Sequence, residues 1–322
     1  MARLFDKYYG VLRRMKANYV LANLSNASKL KINQKELRKQ GLNHSVYLPI
    51  DSTAFYRDES LEPWMDKPYT DHTFIDKLKK YRFSDEVKQQ LSNFEKNGFM
   101  ILKSFLTKAE VDEANAELQR LIDEGIVDYN FTGRKVMFAF QKSELLRSIV
   151  EKMEIIEILQ FILEKKVKPF QTINFIQPSE QRAHSDIIHM TTQPLGYMVA
   201  AWFALEDIGL DQGPIFYYPG SHKLPYVLNS SYNHGGSRWM IGPEAYLNYE
   251  NYLEAIIKKE NLQKEYFTPE AGDVLIWHGN LIHGGSKWND KKQTRKSMVC
   301  HYFTEDVVCY HELTQRFAYI KQ

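Results

Sequence analysis

Pro169 separates two parts of the sequence that have different local patterns. Before it, apolar residues recur at helical spacing. After it come short apolar runs separated by turn residues, among them Asp211-Gln212-Gly213, Pro219-Gly220 and Ala271-Gly272. A helical part followed by many short strands is typical of an α+β protein in which helices brace a β-sandwich or jelly roll, and it argues against a parallel βαβ sheet.

Individual elements can be predicted on both sides of this boundary. Ser84 caps a helix that ends at Gly98, and a capping box at Thr107 and Glu110 begins a second helix that ends at Gly125. A third helix is predicted over residues 144–164. Strands are predicted at 99–102, 171–176, 197–205, 214–218, 273–277 and 297–303.

Composition and charge exclude several classes of protein. A net charge of +2 over 322 residues argues against a nucleic-acid partner. Cys300 and Cys309 form no C-x-x-C pair, which fits a reducing cytoplasm and indicates neither a disulfide framework nor a zinc ribbon. Residues 1–20 lack the apolar core of a secretory signal. The best apolar run, 198–205, is far too short to span a membrane.

We divide the chain into an extension, residues 1–82, and a jelly-roll domain, residues 83–322. The first 40 residues carry ten Lys and Arg but two acidic residues. Apolar residues there recur at helical spacing, which predicts either a segment lying on an anionic membrane surface or a solvated arm; they are Tyr8, Val11, Leu12, Met15 and Tyr19. Residues 51–71 are predicted to cover the domain.

The insert at 225–267 interrupts the strand-rich part and contains one predicted helix, at 249–260. An insertion of this length is often a lid over a binding site, although a surface excursion without a role is an equal alternative.

Three side chains could form a metal site. His184 and Asp186 lie two residues apart, so on an extended strand both point the same way. His283 ends a strand-like run about a hundred residues later. Two His and one carboxylate that leave coordination positions open are typical of non-haem Fe(II) oxygenases. Arg295 would supply a permanent cation for the far carboxylate of 2-oxoglutarate.

From about Ser84 to about Phe303 the chain resembles the phytanoyl-CoA dioxygenase family of Fe(II)/2-oxoglutarate-dependent oxygenases. The resemblance rests on motifs that occur in the order of the family: NGFMILKSFLTKAEV, the triplet HSD, AAW around Trp202, QGPIFYYPGSHK, GDVLIWHGNLIHG and the later Arg-x-Ser. Each motif is weak alone, but the combination is specific. The resemblance implies a cupin-like double-stranded β-helix and, as cofactors, Fe(II), 2-oxoglutarate and O2.

Residue roles follow from the same resemblance. It implies that His184, Asp186 and His283 bind the iron and are the catalytic centre. The residues that it implies for 2-oxoglutarate are Arg295 at the C5 carboxylate, Trp202 along the pocket, Ser286 or Ser297 as a hydroxyl donor, and Lys135. The sequence departs from the family pattern at Ala183, where Trp or Leu is usual, and in the Gly284-Gly285-Ser286 run, which has one extra residue.

Four more histidines have two interpretations each. His222 is expected to order a turn. His189, His278 and His301 could lie near the metal and touch substrate, or could be hydrogen-bonded core residues, which is the commoner case.

The predicted function is therefore a 2-oxoglutarate-dependent dioxygenase that hydroxylates, or otherwise oxidises, an unactivated C–H bond of a small metabolite and releases succinate and CO2. The alternatives are a cupin-type metal-dependent sugar isomerase or epimerase and a non-catalytic binding protein of the same fold. Aromatic and amide residues of the insert suggest a polar substrate: Tyr226, Asn229, Tyr232, Asn233, Trp239, Tyr246 and Asn248. The sequence predicts no oligomeric state.

Overall fold

A computed structural model describes residues 11–12, 14–130 and 133–320. Its α-helices are α1 Lys16–Ser25, α2 Lys31–Lys39, α3 Asp71–Leu78, α4 Asp85–Asn97, α5 Lys108–Asp123, α6 Glu144–Val150, α7 Met153–Leu163 and α8 Ala245–Lys259. Its strands are β1 Phe99–Leu102, β2 Lys135–Met137, β3 Val167–Phe175, β4 Thr191–Gln193, β5 Met198–Ala204, β6 Ile215–Tyr217, β7 Glu265–Phe267, β8 Val274–His278, β9 His283–Gly285, β10 Ser297–Thr304, β11 Val308–His311 and β12 Arg316–Phe317.

The strands form three antiparallel sheets. A six-stranded sheet has the order β1-β8-β5-β10-β3-β2, and two three-stranded sheets have the orders β12-β11-β4 and β7-β6-β9. Every residue of β5, β8 and β10 is buried, as expected for central strands covered on both faces. The fold is therefore a mixed helix and sheet structure with antiparallel sheets, as the sequence predicted.

The two faces of the large sheet bury different residues. One face packs against the helices through Ala201, Phe203 and Ile276, which belong to the largest apolar core. The other face carries Trp202, Trp277 and a second apolar cluster. Because side chains alternate along a strand, the second face also receives residues from β10 and β3 at alternate positions.

Local signals fix several helix ends. The Ser84 hydroxyl accepts a hydrogen bond from the Val87 amide, and Gly98, with φ of 81°, ends α4. Thr107 and Glu110 form the predicted capping box. The predicted helix over 144–164 is wrong as a single helix, because α6 ends at Val150 and α7 begins at Met153. The Tyr302 hydroxyl donates to the Val150 carbonyl (2.8 Å) at the break.

The insert and the extension both contribute helices. In the insert, α8 begins four residues earlier than predicted, at Ala245. In the extension, Lys16 at the start of α1 is buried, and its ammonium donates to the Ser237 carbonyl (2.7 Å) and the Gln315 side chain (2.6 Å). Residues farther along the extension pack against the C-terminal strands in one cluster, which comprises Leu30, Leu37, Val46, Ile50, Val308, Tyr310 and Phe317.

The predicted amphipathic segment is only partly covered by the structure. Its first residue, Tyr8, and the neighbouring Arg13 lie outside the described residues. Contact of the basic N-terminus with an anionic surface stays a prediction. Within the described ranges, no helix is long and apolar enough to cross a membrane.

Candidate metal centre

Backbone pairing brings the two candidate histidine ligands together. His184 and His283 form an isolated antiparallel bridge in which each amide donates to the carbonyl of the other residue, both at 2.9 Å. The imidazole centroids lie 4.5 Å apart. Asp186 follows two residues after His184, at the start of a short 3-10 turn. Side-chain donor atoms of the three buried residues all lie within 4.8 Å of one another.

Hydrogen bonds set the tautomer of both histidines. His184 Nδ1 lies 2.9 Å from the Arg182 carbonyl, and His283 Nδ1 lies 3.0 Å from the Leu281 carbonyl. A carbonyl can only accept, so each Nδ1 carries the proton and each Nε2 presents a lone pair. Burial lowers the pKa of His184 well below its usual range, and the adjacent His283 lowers this pKa further. In this neutral tautomer each imidazole can bind a metal through Nε2.

Asp186 lies between the two histidine Nε2 atoms. Its Oδ1 is 3.8 Å from His184 Nε2 and 3.7 Å from His283 Nε2. Its Oδ2 accepts from Trp277 Nε1 (2.9 Å) and is 3.6 Å from His301 Nε2. Burial acts to raise the pKa of Asp186, but the facing His283 and His301 outweigh this and hold that pKa below its usual range. The carboxylate is therefore ionised, as a metal ligand must be.

The distances from Asp186 to the two histidines fit one transition-metal ion. A metal bound at about 2.0 to 2.2 Å from N and O donors cannot join donors that are farther apart than about 4.4 Å. Both distances from Asp186 Oδ1 to the histidine nitrogens are shorter than this limit. The set of two imidazoles and one carboxylate also matches the ligands that non-haem Fe(II) uses.

Arg295 is buried beside this site without an anionic partner. It is 2% exposed, and among the described residues it forms no salt bridge. One Nη donates to Ser297 Oγ (3.3 Å), whereas Nε is buried without a hydrogen-bond partner. Burial lowers the pKa of Arg295 to about 10, despite the attraction of Glu206. A buried guanidinium without a carboxylate is costly, so its environment fits an anion that binds from outside the chain.

The strand register explains why Arg295 faces the metal site. Arg295, Ser297, Val299 and His301 alternate along the start of β10, so they share one face. Across the ladder, Val299 pairs with Trp202 of β5, and the small Ala200 lies opposite His301. The Arg295 guanidinium lies 4.9 Å from the Phe175 ring and 5.6 Å from the Trp202 ring.

A cavity of about 730 Å³ joins these groups. It is lined by the triad and by Arg295, Trp202, Lys135 and His301, with apolar residues such as Val299 between them. Trp202 Nε1 is buried without a partner. Lys135 Nζ lies 3.4 Å from Gln181 Oε1, and burial lowers its pKa although Asp186 acts to raise it.

The sequence-predicted serines lie in different places. Ser297 contacts Arg295, whereas the Ser286 hydroxyl is buried without a hydrogen-bond partner and does not line the described part of the cavity. The structure thus gathers six of the predicted residues around one cavity, whereas Ser286 and Ser297 are not among its described lining residues. The roles of the cosubstrate residues stay predictions.

Comparison with known proteins identifies the family. The model of the family "Phytanoyl-CoA dioxygenase (PhyH)" matches residues 94–297, which is more than half of the chain. The chain belongs to the phytanoyl-CoA dioxygenase family. The match contains the two histidines, Asp186 and Arg295, and it ends before most of β10 and the whole of β11 and β12.

Two named proteins are similar to this chain over most of its length. The chain is 24% identical over 246 residues to mouse peroxisomal phytanoyl-CoA dioxygenase, and the aligned region covers 69% of each protein. It is 24% identical over 256 residues to the ectoine dioxygenase of Nocardia farcinica, and the aligned region covers 74% of this chain and 82% of that protein.

Solved structures show the same fold at low sequence identity. EctD from S. alaskensis, determined with 2-oxoglutarate and 5-hydroxyectoine, has a TM-score of 0.56 and 16% identity, covering 76% of this chain and 81% of that one. The non-heme alpha ketoglutarate dependent carbocyclase SnoK from nogalamycin biosynthesis has a TM-score of 0.57 and 18% identity, covering 70% and 86%.

Trp277 is a positioning residue that the sequence interpretation treated only as part of a strand. Its indole donates to Asp186 Oδ2 and its ring lies 4.8 Å from that of His283. We expect Trp277→Phe to weaken metal binding about tenfold, because partners that orient metal ligands typically contribute 10- to 100-fold in affinity. Competition of the protein with a chromophoric chelator for Mn(II) measures this. Unchanged affinity would show that Asp186 is held without the indole.

The other histidines separate into two groups. His189 and His301 line the cavity. His278 instead lies 3.2 Å from Asp66 outside the cavity, and the His222 Nε2 is 3.1 Å from the Glu95 carbonyl. His278 is therefore a core histidine, and His222 has the expected structural place at a turn, where Gly98 packs against its ring.

The insert contacts the loop that carries the first two ligands. Arg182 pairs with Glu250 (2.9 Å) and Glu254 (2.7 Å) of α8. The Tyr249 hydroxyl accepts from the Ser185 amide at 2.9 Å. Helix α8 thus holds the backbone between His184 and Asp186.

The insert supplies less of the cavity wall than the sequence suggested. Of its seven aromatic and amide residues considered above, Tyr246 lines the described cavity and the other six do not. Asn229, for example, is held by the carbonyl of Glu312. The missing part of the wall comes from the C-terminal strands, which sequence reasoning overlooked: Tyr310, His311, Arg316, Phe317, Ala318 and Tyr319.

Proposed function

We propose that this member of the phytanoyl-CoA dioxygenase family is an Fe(II)- and 2-oxoglutarate-dependent dioxygenase that hydroxylates an unactivated C–H bond of a small metabolite. One observation carries the proposal. A converging pair of Nε2 lone pairs and an ionised carboxylate share a cavity with a buried guanidinium that pairs with no carboxylate in the described part of the chain.

His184, Asp186 and His283 would hold the iron. Bound iron, together with O2 and 2-oxoglutarate, supplies the oxidation of the substrate C–H bond, with succinate and CO2 as the other products. Three protein ligands leave positions for the 2-oxo acid and for O2, which a fully coordinated metal would not.

The remaining residues position the cosubstrate and exclude water. The Arg295 guanidinium would bind the C5 carboxylate of 2-oxoglutarate, while Ser297 fixes one Nη and the Phe175 and Trp202 rings cover its faces. The Trp202 Nε1 and Lys135 Nζ groups are further donors along the same wall. Apolar side chains, including Val299, keep the charge of Arg295 in a medium of low dielectric constant, which strengthens its pairing with an anion.

We also infer that the sheets form a double-stranded β-helix. Strand β9, which carries His283, pairs with β6, and His283 also bridges to His184. This places β9 opposite the large sheet, from which Trp277 donates to Asp186. The jelly-roll alternatives fit the residues less well. A sugar isomerase has no use for the buried Arg295, and a protein that only binds would typically lack a metal ligand, whereas all three are present.

An anaerobic titration of the apoprotein with Fe(II) and 2-oxoglutarate tests this function. We expect a weak visible charge-transfer band from 2-oxoglutarate chelated to Fe(II), and the band should be absent with succinate, which lacks the 2-oxo group. Uncoupled succinate release in air is a second readout. Intact metal binding without the band would contradict the proposal and favour the isomerase or binding alternatives.

A further inference from the structure

The charges that line the cavity are unbalanced. Its described lining contains three cations, Lys135, Arg295 and Arg316, but Asp186 is its one carboxylate. Under the proposed function, Asp186 faces the metal and Arg295 faces the cosubstrate. Arg316 is left over, and it lies on a different sheet from Arg295, in the order β12-β11-β4.

Aromatic rings lie over the faces of the Arg316 guanidinium, while its N–H groups at the edge bond to no side chain of the described residues. Its guanidinium lies 5.5 Å from the Tyr19 ring of α1 and 5.4 Å from the Tyr319 ring. It forms no ion pair or hydrogen bond with a side chain of the described residues. Aromatic rings that cover a guanidinium reduce its hydration without using its N–H donors, so these donors stay available to an oxyanion.

The N-terminal extension holds this arginine in place. Beside Arg316 in sequence, the Gln315 side chain accepts from Lys16 Nζ (2.6 Å) and donates to Asp51. The turn between β11 and β12 is therefore fixed by two segments of the extension. Such support keeps a side chain in one geometry before ligand binds, which reduces the entropy lost on binding.

A chain of hydrogen bonds places a second donor near Arg316. His311 pairs with Arg316 across the β11 and β12 ladder. The Thr314 amide donates to His311 Nδ1 (3.3 Å), so a neutral His311 carries its proton on Nε2 and donates to His189 Nδ1, at 3.3 Å. His189 is then left with its proton on Nε2, and its ring lines the cavity.

The Thr314 amide requires a lone pair on His311 Nδ1, so the direction of donation along this chain is set by backbone geometry. Burial also lowers the pKa of His311 to about 3. The charge of Arg316 also lowers the pKa of His311. A neutral pair has one defined direction of donation, from His311 to His189, which leaves a hydrogen-bond donor on His189 for a ligand.

We propose that Arg316 and His189 form an anion-binding subsite for the substrate, and that the substrate therefore carries a carboxylate or phosphate group. This inference rests on the proposed function, because it assigns the second anion in the cavity after 2-oxoglutarate has taken Arg295. It narrows the substrate class from polar metabolites to acidic ones. Arg316 and His311 lie outside the range matched by the family model, whereas His189 lies inside it.

Matched probes that differ in charge test the subsite without turnover. The protein is saturated with Zn(II) and 2-oxoglutarate and titrated with hexanoate, hexyl phosphate or hexanamide while its melting temperature is followed. We expect the two anions to raise the melting temperature and the amide to leave it unchanged. In Arg316→Gln, we expect the affinity for both anions to fall at least about tenfold, because a charge-assisted hydrogen-bonded pair is lost.

Further variants separate the possible outcomes. Arg316→Lys keeps the charge and should retain part of the anion response, whereas Arg238→Gln removes an exposed arginine that lies 5.5 Å from the Trp239 ring, outside the cavity, and should retain all of it. His189→Phe should weaken anion binding less than Arg316→Gln does. Equal binding of hexanamide and hexanoate, or an unchanged response in Arg316→Gln, would overturn the subsite.

The same titration distinguishes failure of the subsite from failure of the proposed function. The rise in melting temperature that 2-oxoglutarate adds to the Zn(II)-loaded protein, before any probe is added, reports the cosubstrate site. If this stabilisation is absent in the unmodified protein, the proposed function is wrong. If Arg316→Gln lowers the affinity for 2-oxoglutarate instead of the affinity for the probes, Arg316 belongs to the cosubstrate site and the subsite is wrong.

Discussion

His283→Ala is expected to weaken Mn(II) or Fe(II) binding by more than about 100-fold. The prediction follows from the geometry of the site, in which His283 Nε2 presents a free lone pair 3.7 Å from Asp186 Oδ1. Partners that only orient a metal ligand contribute 10- to 100-fold in affinity, so loss of a ligand itself should exceed that range. The electron paramagnetic resonance signal of unbound Mn(II) gives the dissociation constant without any turnover.

Two controls make the His283 result specific. His72→Ala removes an exposed histidine outside the cavity and should leave the affinity unchanged. His283→Gln fills part of the volume and keeps an amide donor for the Leu281 carbonyl, so its melting temperature should stay closer to that of the unmodified protein. Tight Mn(II) binding by both His283 variants would show that the metal site lies elsewhere.

The metal site could be predicted because its signal is local. His184 and Asp186 are two residues apart, so their side chains point the same way when the backbone between them is extended. His283 and Arg295 lie in motifs whose order is diagnostic of the family. The spacing and order of these motifs were enough to propose the set, but only the structure shows that the bridge between His184 and His283 brings the ligands together.

The substrate side of the cavity could not be predicted for the opposite reason. Arg316 and His311 carry no motif, and they reach the cavity through pairing of β11 with β4, residues that are more than a hundred positions apart. Likewise, the place of Trp202 along the proposed cosubstrate pocket and the contact of Trp277 with Asp186 depend on which face of each strand points into the cavity. The amide and aromatic content of the insert predicted that it lines the cavity, but among those residues only Tyr246 does so.

The break between α6 and α7 shows how tertiary contacts override a local pattern. Residues 144–164 have a continuous apolar periodicity, which favours one helix. The Val150 carbonyl instead accepts from Tyr302 on β10, and Lys152 is extended, with φ of −52° and ψ of 132°. Because the partner lies about 150 residues away, the sequence around the break contains no signal for it.

Arg295→Gln is expected to raise the dissociation constant for 2-oxoglutarate by about 30-fold or more while leaving metal affinity nearly unchanged. Removal of one partner from a buried, hydrogen-bonded charge pair typically costs about 2 to 5 kcal/mol, which corresponds to roughly 30- to several-thousand-fold. The guanidinium is more than 90% buried and its Nε has no hydrogen-bond partner among the described residues, so none of them can replace it at that point of the cavity. Titration of the Zn(II)-loaded protein with 2-oxoglutarate, followed by calorimetry, measures the effect.

Comparison of Arg295→Gln with Arg295→Lys tests why arginine occupies this position. A lysine keeps the positive charge but cannot offer two parallel N–H donors or stack flat between Phe175 and Trp202. If charge alone holds 2-oxoglutarate, Arg295→Lys should bind it almost normally. If the planar fork matters, Arg295→Lys should lose most of the affinity lost in Arg295→Gln. Normal binding by both variants would instead mean that the buried guanidinium is structural, and Lys135, the other cation on this wall, would become the candidate for the C5 carboxylate.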